Sequence, residues 1–248
     1  MRTRRHQLHG LGALAAGALL VALALAPLAR AGVPDLSGSE LLSNERTFTR
    51  WAYAAQVQPI REWPKPNAWV VATISLSTED GLPEVYTLLR GWTDPSGQDW
   101  LEVRVPMRPK ARTGWVDASA LGDAQLVRTQ LVVDRRHLRA TLLRAGHRVW
   151  GSRIGVGKAR TPTPAGHFWI RERLRSKHPS GPYGPWAFGT SAYSRLSDWP
   201  GGGVVGIHGT NQPKLIPGRP SHGCIRMPNP AIRRLARLMP IGTPVWIR

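Results

Sequence analysis

The sequence has very little cysteine, since Cys224 is the single thiol among 248 residues. One cysteine excludes an internal disulfide, and it excludes the paired Cys-x-x-Cys ligands of common structural zinc sites. If the chain is exported, this thiol stays unpaired in an oxidising compartment. A lone cysteine is often a small buried hydrophobe, but an unpaired thiol outside the cytosol also suggests reactivity. Cys224 is therefore the first residue to test for function.

Acidic residues are scarce as well. The chain has 15 Asp and Glu against 34 Lys and Arg, a formal net charge of +19, and no acidic residue precedes Asp35. This balance favours polyanionic surroundings such as an acidic cell wall or an anionic membrane surface, although a role in solubility explains it equally. The basic residues are scattered and no nucleic-acid-binding motif is present, so we predict no nucleic-acid partner.

Residues 1–31 have the composition of an export signal. Three arginines in the first five residues precede an Ala/Leu-rich run over residues 11–29, and a small-x-small cleavage site ends at Ala31. We therefore expect an exported protein that is periplasmic, attached to the cell wall or extracellular. The apolar run is also long enough to remain as an uncleaved membrane anchor. Residues 32–46 are predicted to be a linker.

The pattern of the remaining chain predicts a mainly β fold. Residues 47–123 contain short β-branched and apolar runs separated by turns. This stretch resembles a bacterial SH3-like module, which implies a small N-terminal β-barrel. Its tryptophans Trp92, Trp100 and Trp115 either line a groove for a glycan or peptide or fill the barrel core.

A second domain is predicted over residues 127–248. It begins with a strand and a hairpin, and residues 171–203 then form a long Gly/Pro-rich segment that predicts a binding loop or lid. In that segment, Tyr183 and Trp186 are candidates for substrate packing or for pinning the loop to the sheet. One short helix is predicted after Met227, with Asn229 as its N-cap.

The candidate catalytic residues lie at two predicted strand ends that a long loop joins. An apolar run leads to His208, and the thiol lies in Ser221-His222-Gly223-Cys224. If the two strands are neighbours, the imidazole and the thiol meet at one rim of a sheet. His208 would then remove the thiol proton and hold the ion pair. His222 would face the same side as Cys224 on an extended strand, where it orients a substrate carbonyl or shares in proton handling.

Other residues near the thiol suit substrate binding. Gly223 allows a close approach to the backbone, and the amides around Cys224 are predicted oxyanion donors. Arg226 suits a carboxylate through its planar fork. Gly209 and Ser221 complete the candidate set. The alternative is a zinc site built from His208, His222 and Cys224; we otherwise predict neither metal nor cofactor.

These motifs together resemble the signature of the L,D-transpeptidase (YkuD) catalytic domain family. The resemblance rests on His208-Gly209-Thr210 and on the segment from Ser221 to Met227, and it extends to Gly155–Lys158, Thr161–Phe168 and Ile241–Ile247. It covers about half of the chain. It implies a β-sandwich with a short helix, and it implies that residues 161–166 support the sheet that carries the site.

The resemblance also implies a reaction, namely acyl transfer through a thioester in peptidoglycan biosynthesis. Cys224 would attack a tetrapeptide stem, D-alanine would leave, and an amine of a second stem would form the cross-link that maintains cell shape. The partner of the histidine would be a backbone carbonyl at Gly209, where some relatives carry serine. An L,D-carboxypeptidase or thiol peptidase acting on the same stems, and a non-catalytic cell-wall-binding protein, remain alternatives. No oligomeric state is predicted.

Overall fold

Short strands separated by turns make up most of the fold. The computed structural model describes residues 34–108, 111–198 and 201–248. The predicted export signal lies outside these residues. Within them, no helix has both the length and the apolar character needed to cross a bilayer.

The first part of the chain forms one sheet. Its strands are β1 Glu40–Leu41, β2 Thr49–Tyr53, β3 Pro59–Arg61, β4 Val70–Thr73, β5 Val85–Thr93, β6 Asp99–Val105, β7 Arg112–Asp117 and β8 Gln125–Val127. The order is β4-β3-β7-β6-β5-β2-β8, and β1 also pairs with β5. Every pairing is antiparallel. Among the described residues the edge strands β4 and β8 do not pair with each other, so the sheet is not a closed barrel, and its SH3-like identity stays a prediction.

Two of the three tryptophans considered for a binding groove are core residues. Trp100 is 5% exposed and Trp115 is 3% exposed, whereas Trp92 is half-buried. The indole N–H of Trp100 donates to Asp94 Oδ2 at 3.2 Å, which satisfies its polar atom. The buried rings of Trp100 and Trp115 therefore support the core interpretation over an open groove.

The second part of the chain forms two further sheets. Its strands are β9 Thr129–Asp134, β10 Arg139–Arg144, β11 His147–Arg153, β12 Gly155–Gly157, β13 Gly166–Trp169, β14 Leu174–Arg175, β15 Trp186–Tyr193, β16 Val204–His208, β17 Gly218–Ser221, β18 Ile225–Arg226 and β19 Pro244–Ile247. One sheet has the order β11-β10-β9-β19-β13, and the other has the order β14-β15-β16-β18-β12-β17. The helix α1, Asn229–Leu238, follows β18.

These two sheets form a β-sandwich around a common apolar core. Leu131 and Leu142 come from one sheet, Ile207 and Ile225 come from the other, and Ile232 of α1 packs with them. Alternating apolar residues along the strands and the apolar stripe of the helix explain this arrangement. The predicted mainly β fold with a sandwich and a short helix is confirmed.

The long segment from residue 171 to residue 203 differs from the prediction. It contains the two-residue strand β14 and the eight-residue strand β15, which lies between β14 and β16 in the sheet. The interpretation of the whole segment as a binding loop or lid missed β15, because this strand has small residues where apolar alternation is expected. Gly189 is one of them, and an added Cβ there would lie 2.5 Å from Glu172 Oε2.

A buried ion pair joins the first sheet to the sandwich. Arg171 is 4% exposed and Glu84 is fully buried, and the guanidinium Nε donates to Glu84 Oε1 at 2.8 Å. A second nitrogen of the same guanidinium contacts Glu84 Oε2, and a third lies 2.9 Å from Glu79 Oε2. Nearby, the indole N–H of Trp169 donates to the carbonyl of Val85 at 2.9 Å. The described residues accordingly form a single compact unit.

Candidate active site

The strands that carry the histidine and the thiol are neighbours. Strand β16 pairs in parallel with β18, with His208 opposite Arg226. Cys224 directly precedes β18, and the Gly206 N–H donates to its Sγ at 3.4 Å. An added Cβ on Gly206 would lie 3.8 Å from His208 Cδ2 and 3.9 Å from Cys224 Sγ. The thiol and the imidazole therefore flank the same glycine, and the expectation of neighbouring strands is confirmed.

Both groups open into one cavity of ≈ 320 Å³. Leu174, Ala187 and Phe188 form an apolar part of its wall. Asp80 from the first sheet and Glu172 from the sandwich add two carboxyl groups. Sequence analysis missed this acidic part of the wall because nothing in the chain order signals that residues 80, 172 and 224 meet.

His208 is oriented by a backbone carbonyl. Its Nδ1 lies 2.6 Å from the Gly209 oxygen. Because a carbonyl oxygen only accepts, Nδ1 carries the hydrogen and Nε2 keeps a lone pair that can accept a proton. The ring is 2% exposed. Burial lowers the pKa of His208 to about 4, although the bond to Gly209 acts in the opposite direction.

Cys224 is held as a neutral thiol. Burial raises the pKa of the thiol above its ordinary value, although the Gly206 N–H and the positive charge of Arg226 act to lower it. A raised thiol pKa beside a lowered imidazole pKa makes both groups neutral near pH 7. Desolvation disfavours both charged forms, and the ion pair expected from the sequence stays a prediction. The neutral imidazole keeps the lone pair on Nε2, which can accept the thiol proton.

Three side-chain hydroxyl groups donate hydrogen bonds to backbone carbonyls of the turn that presents Cys224. Thr163 Oγ1 donates to the Gly223 carbonyl at 2.7 Å, and Ser194 Oγ donates to the His222 carbonyl at 2.8 Å. Ser221 Oγ donates to the Cys224 carbonyl at 2.6 Å. Gly223 has a φ of +131°, which L side chains rarely adopt. The predicted support from residues 161–166 thus takes a specific form at Thr163.

These contacts change what two candidate residues can offer. Ser221 is fully buried, and its hydroxyl also accepts from the Gly223 N–H at 3.2 Å. Ser221 therefore positions the turn, and the Gly223 amide is already engaged within it. An oxyanion role for the amides around Cys224 stays a prediction.

His222 does not share a strand face with Cys224. Strand β17 ends at Ser221, residues 222 and 223 form a bend, and β18 begins only at Ile225. The reasoning from strand alternation was wrong because this segment is not continuously extended. His222 is half-buried and does not line the cavity that Cys224 and His208 share.

The two aromatic candidates lie in different places. Tyr183 lines the cavity and packs edge-on against His208, with ring centroids 4.9 Å apart. Trp186 lines a separate cavity beside Arg233, and the guanidinium of Arg173 lies 5.9 Å from the centre of its ring. Tyr183 remains a candidate for substrate packing, whereas the position of Trp186 favours a structural role.

Arg226 lies opposite His208 in the pairing of β16 with β18. It is half-buried, and among the described residues its buried Nε has no hydrogen-bond partner. Its positive charge lowers the pKa of both His208 and Cys224.

The zinc alternative has no support in the described part of the chain. No group of three or more His, Cys, Asp or Glu side chains there is arranged to hold a metal ion.

Comparison with known proteins identifies the domain around this site. Residues 128–247 match the family model described as YkuD, the L,D-transpeptidase catalytic domain. Residues 128–247 belong to the YkuD family. A Bacillus subtilis protein named L,D-transpeptidase YkuD is 42% identical over 94 residues, which is 38% of this chain and 50% of that protein. The chain thus spans about half the length of the curated relatives that it matches.

Solved structures resemble the YkuD domain and its surroundings at lower similarity. A mutant Enterococcus faecium L,D-transpeptidase is 22% identical, covering 79% of this chain and 75% of that chain, with a TM-score of 0.42. An L,D-transpeptidase from Mycobacterium tuberculosis is 14% identical, covering 79% and 97%, with a TM-score of 0.44. Both TM-scores are below 0.5, so the assignment to the YkuD family rests on the sequence match.

Proposed function

We propose that this protein is an exported peptidoglycan L,D-transpeptidase with Cys224 as its nucleophile and His208 as its general base. The observation that carries the proposal is that Cys224 and His208 line one cavity, with Nδ1 of His208 held by the Gly209 carbonyl. That bond leaves Nε2 as the proton acceptor. The YkuD family of residues 128–247 supplies the substrate class, which is the tetrapeptide stem of peptidoglycan.

The proposed reaction has two acyl transfers. Cys224 Sγ attacks the carbonyl before the terminal D-alanine while its proton moves to His208 Nε2. The carbon–nitrogen bond then breaks, His208 returns the proton to the leaving amine, and D-alanine departs from the thioester. An amine of a second stem attacks the thioester, its proton passes to His208, and the sulfur is released and reprotonated.

Two features of the cavity suit this substrate. The apolar part of the wall and the edge of Tyr183 offer packing for the aliphatic part of a stem. The carboxyl groups of Asp80 and Glu172 face the same space, in a chain whose net charge is +19. Because the leaving D-alanine and the accepting stem both react through an amine, an acidic part of the wall is compatible with them. The basic remainder of the chain is compatible with an acidic cell wall.

The test is the intact mass of the protein after exposure to a carbapenem, an acylating mimic of the stem. Wild type should gain one covalent adduct, Cys224→Ala should gain none, and His208→Gln should react about 100-fold or more slowly. His147→Gln changes an exposed histidine on β11 and should react like wild type. An unmodified wild-type protein, or an adduct on Cys224→Ala, would contradict the proposal.

The carboxypeptidase alternative uses the same thioester with water as the acceptor. Incubation with purified tetrapeptide muropeptides separates the two reactions, because a transpeptidase yields cross-linked dimers and a carboxypeptidase yields trimmed tripeptides. A non-catalytic wall-binding protein would give neither product, and its Cys224→Ala form would bind the wall and act in the cell as wild type does.

A further inference from the structure

The peptide group between Gly209 and Thr210 is held on both of its sides. Its carbonyl oxygen accepts from His208 Nδ1 at 2.6 Å, and its N–H donates to Asn229 Oδ1 at 2.9 Å. A peptide group is planar, with its C=O and N–H pointing in opposite directions. Fixing the direction of the N–H therefore fixes the direction of the carbonyl that orients the histidine.

Asn229 is not used as the helix cap that the sequence suggested. The helix α1 begins at Asn229, Pro228 precedes it as N-cap, and no side-chain hydrogen bond caps the helix. The Asn229 side chain instead crosses to the Thr210 amide. Because Ile232 and Leu235 anchor the helix in the core, Asn229 stands on a rigid element.

Two glycines make room for the Asn229 side chain. An added Cβ on Gly209 would lie 2.4 Å from Asn229 Oδ1, and an added Cβ on Gly184 would lie 2.4 Å from the same atom. Gly184 also has a φ of +62°, and its added Cβ would lie 2.7 Å from Gly209 Cα. No larger residue fits at either position without movement. Gly209 is therefore matched to the Asn229 contact in this chain.

We infer that Asn229 is a positioning residue for the general base, acting through the Gly209–Thr210 peptide to hold His208 with Nδ1 protonated and Nε2 open. An N–H that donates to an amide oxygen also polarises its own peptide carbonyl, which strengthens the bond to His208. The inference rests on the proposed function for its effect on catalysis. Its effect on the state of the imidazole does not depend on that function.

The first measurement is the tautomer of His208 in ¹⁵N NMR spectra, with its signals identified by their loss in His208→Gln. In wild type, Nδ1 should carry the hydrogen. In Asn229→Ala the peptide is released, so the two tautomers should become mixed. Asn44→Ala is a matched control, because Asn44 Oδ1 accepts from backbone amides of Thr47 and neighbours in the first sheet, and it should leave His208 unchanged.

The second measurement is the rate of carbapenem acylation. We expect Asn229→Ala to lower this rate by about 100-fold, as a small misplacement of a catalytic group does, and Asn44→Ala to leave it unchanged. Asn229→Asp keeps the oxygen acceptor, so it should retain the Nδ1 tautomer. Its added negative charge should raise the pH at which His208 titrates, against the positive charge of Arg226 and beside Tyr183 and Cys224.

The outcomes separate the two proposals. An unchanged tautomer and rate in Asn229→Ala, with wild type acylated, would overturn the positioning role and leave the proposed function standing. Mixed tautomers in Asn229→Ala with an unreactive wild type would support the positioning role of Asn229 and contradict the proposed function. If Asn229→Ala does not fold, an unchanged His208 titration in Asn229→Asp overturns the inference and an upward shift supports it.

Discussion

The first sheet and the sandwich are both made of β-strands, but they are built differently. In the first sheet all pairings are antiparallel, and strands β5 and β6 are nine and seven residues long. Around the active site, β12 and β18 have only three and two residues, and β18 pairs in parallel with β16. The first sheet is held together by antiparallel ladders, whereas the turn at Cys224 is held by side chains that bond to irregular backbone.

This difference shows where close backbone packing is required. Gly38 of the first part of the chain has open space where a Cβ would be. Gly184 and Gly209 at the site would each bring a Cβ within 2.4 Å of Asn229. A residue larger than glycine is therefore tolerated less at Gly184 and Gly209 than at Gly38.

The largest effect is expected when the ion pair between Arg171 and Glu84, which joins the two regions, is broken. Arg171→Leu leaves the buried carboxylate of Glu84 without its partner, and we expect the free energy of unfolding in urea to fall by about 3–5 kcal/mol. Arg90→Leu removes a half-exposed partner of Glu102 within the first sheet, and the loss there should be below about 1 kcal/mol. Equal losses in the two variants would show that the Arg171 pair does not join the regions.

An intermediate effect on stability is expected when one glycine from each region is replaced by alanine. Gly209→Ala forces a Cβ against Asn229, so we expect a loss of about 1–3 kcal/mol in urea unfolding and slower carbapenem acylation. Gly38→Ala has open space and should change stability by at most about 1 kcal/mol. If both variants behave alike, the close packing at Gly209 is relieved at little cost and the contrast between the regions fails.

Much of the first sheet could be predicted from sequence, because strands such as β6 alternate and are bounded by turn residues. The neighbouring positions of His208 and Cys224 were also predictable, since both lie at the ends of short apolar runs. The strand β15 was not, because glycine and small residues hide its pattern. Asn229 was assigned to a local cap, since sequence distance alone does not show that its side chain reaches Thr210.

The smallest expected effect is a pH dependence of opposite sign in the two regions. Burial raises the pKa of Glu172, an effect that Asp80 strengthens and Thr78 opposes, so its contribution to stability is present at low pH and is lost as pH rises through the folded pKa. Glu172→Gln should therefore raise the melting temperature at pH 8, by on the order of 1–3 °C, and should give no gain at pH 4.

Asp94 in the first sheet should show the reverse. A hydrogen bond from Ser96, with others from nearby amides, lowers its pKa to about 2. Its contribution is present above the ordinary carboxyl pKa and is lost as pH falls through the folded value. Asp94→Asn should accordingly lower the melting temperature at pH 8 and lose that difference in strong acid. The same sign in both variants would remove this contrast.

The ion pair between Arg171 and Glu84 has a consequence for how the protein can be divided. A fragment cut at the family boundary, residue 128, would keep the guanidinium of Arg171 and discard the carboxylates of Glu79 and Glu84 that neutralise it. The same cut would discard Asp80 from the cavity wall. The smallest piece that can be excised intact is therefore larger than the segment that matches the family model, and the first part of the chain supplies part of the cavity that Cys224 and His208 line.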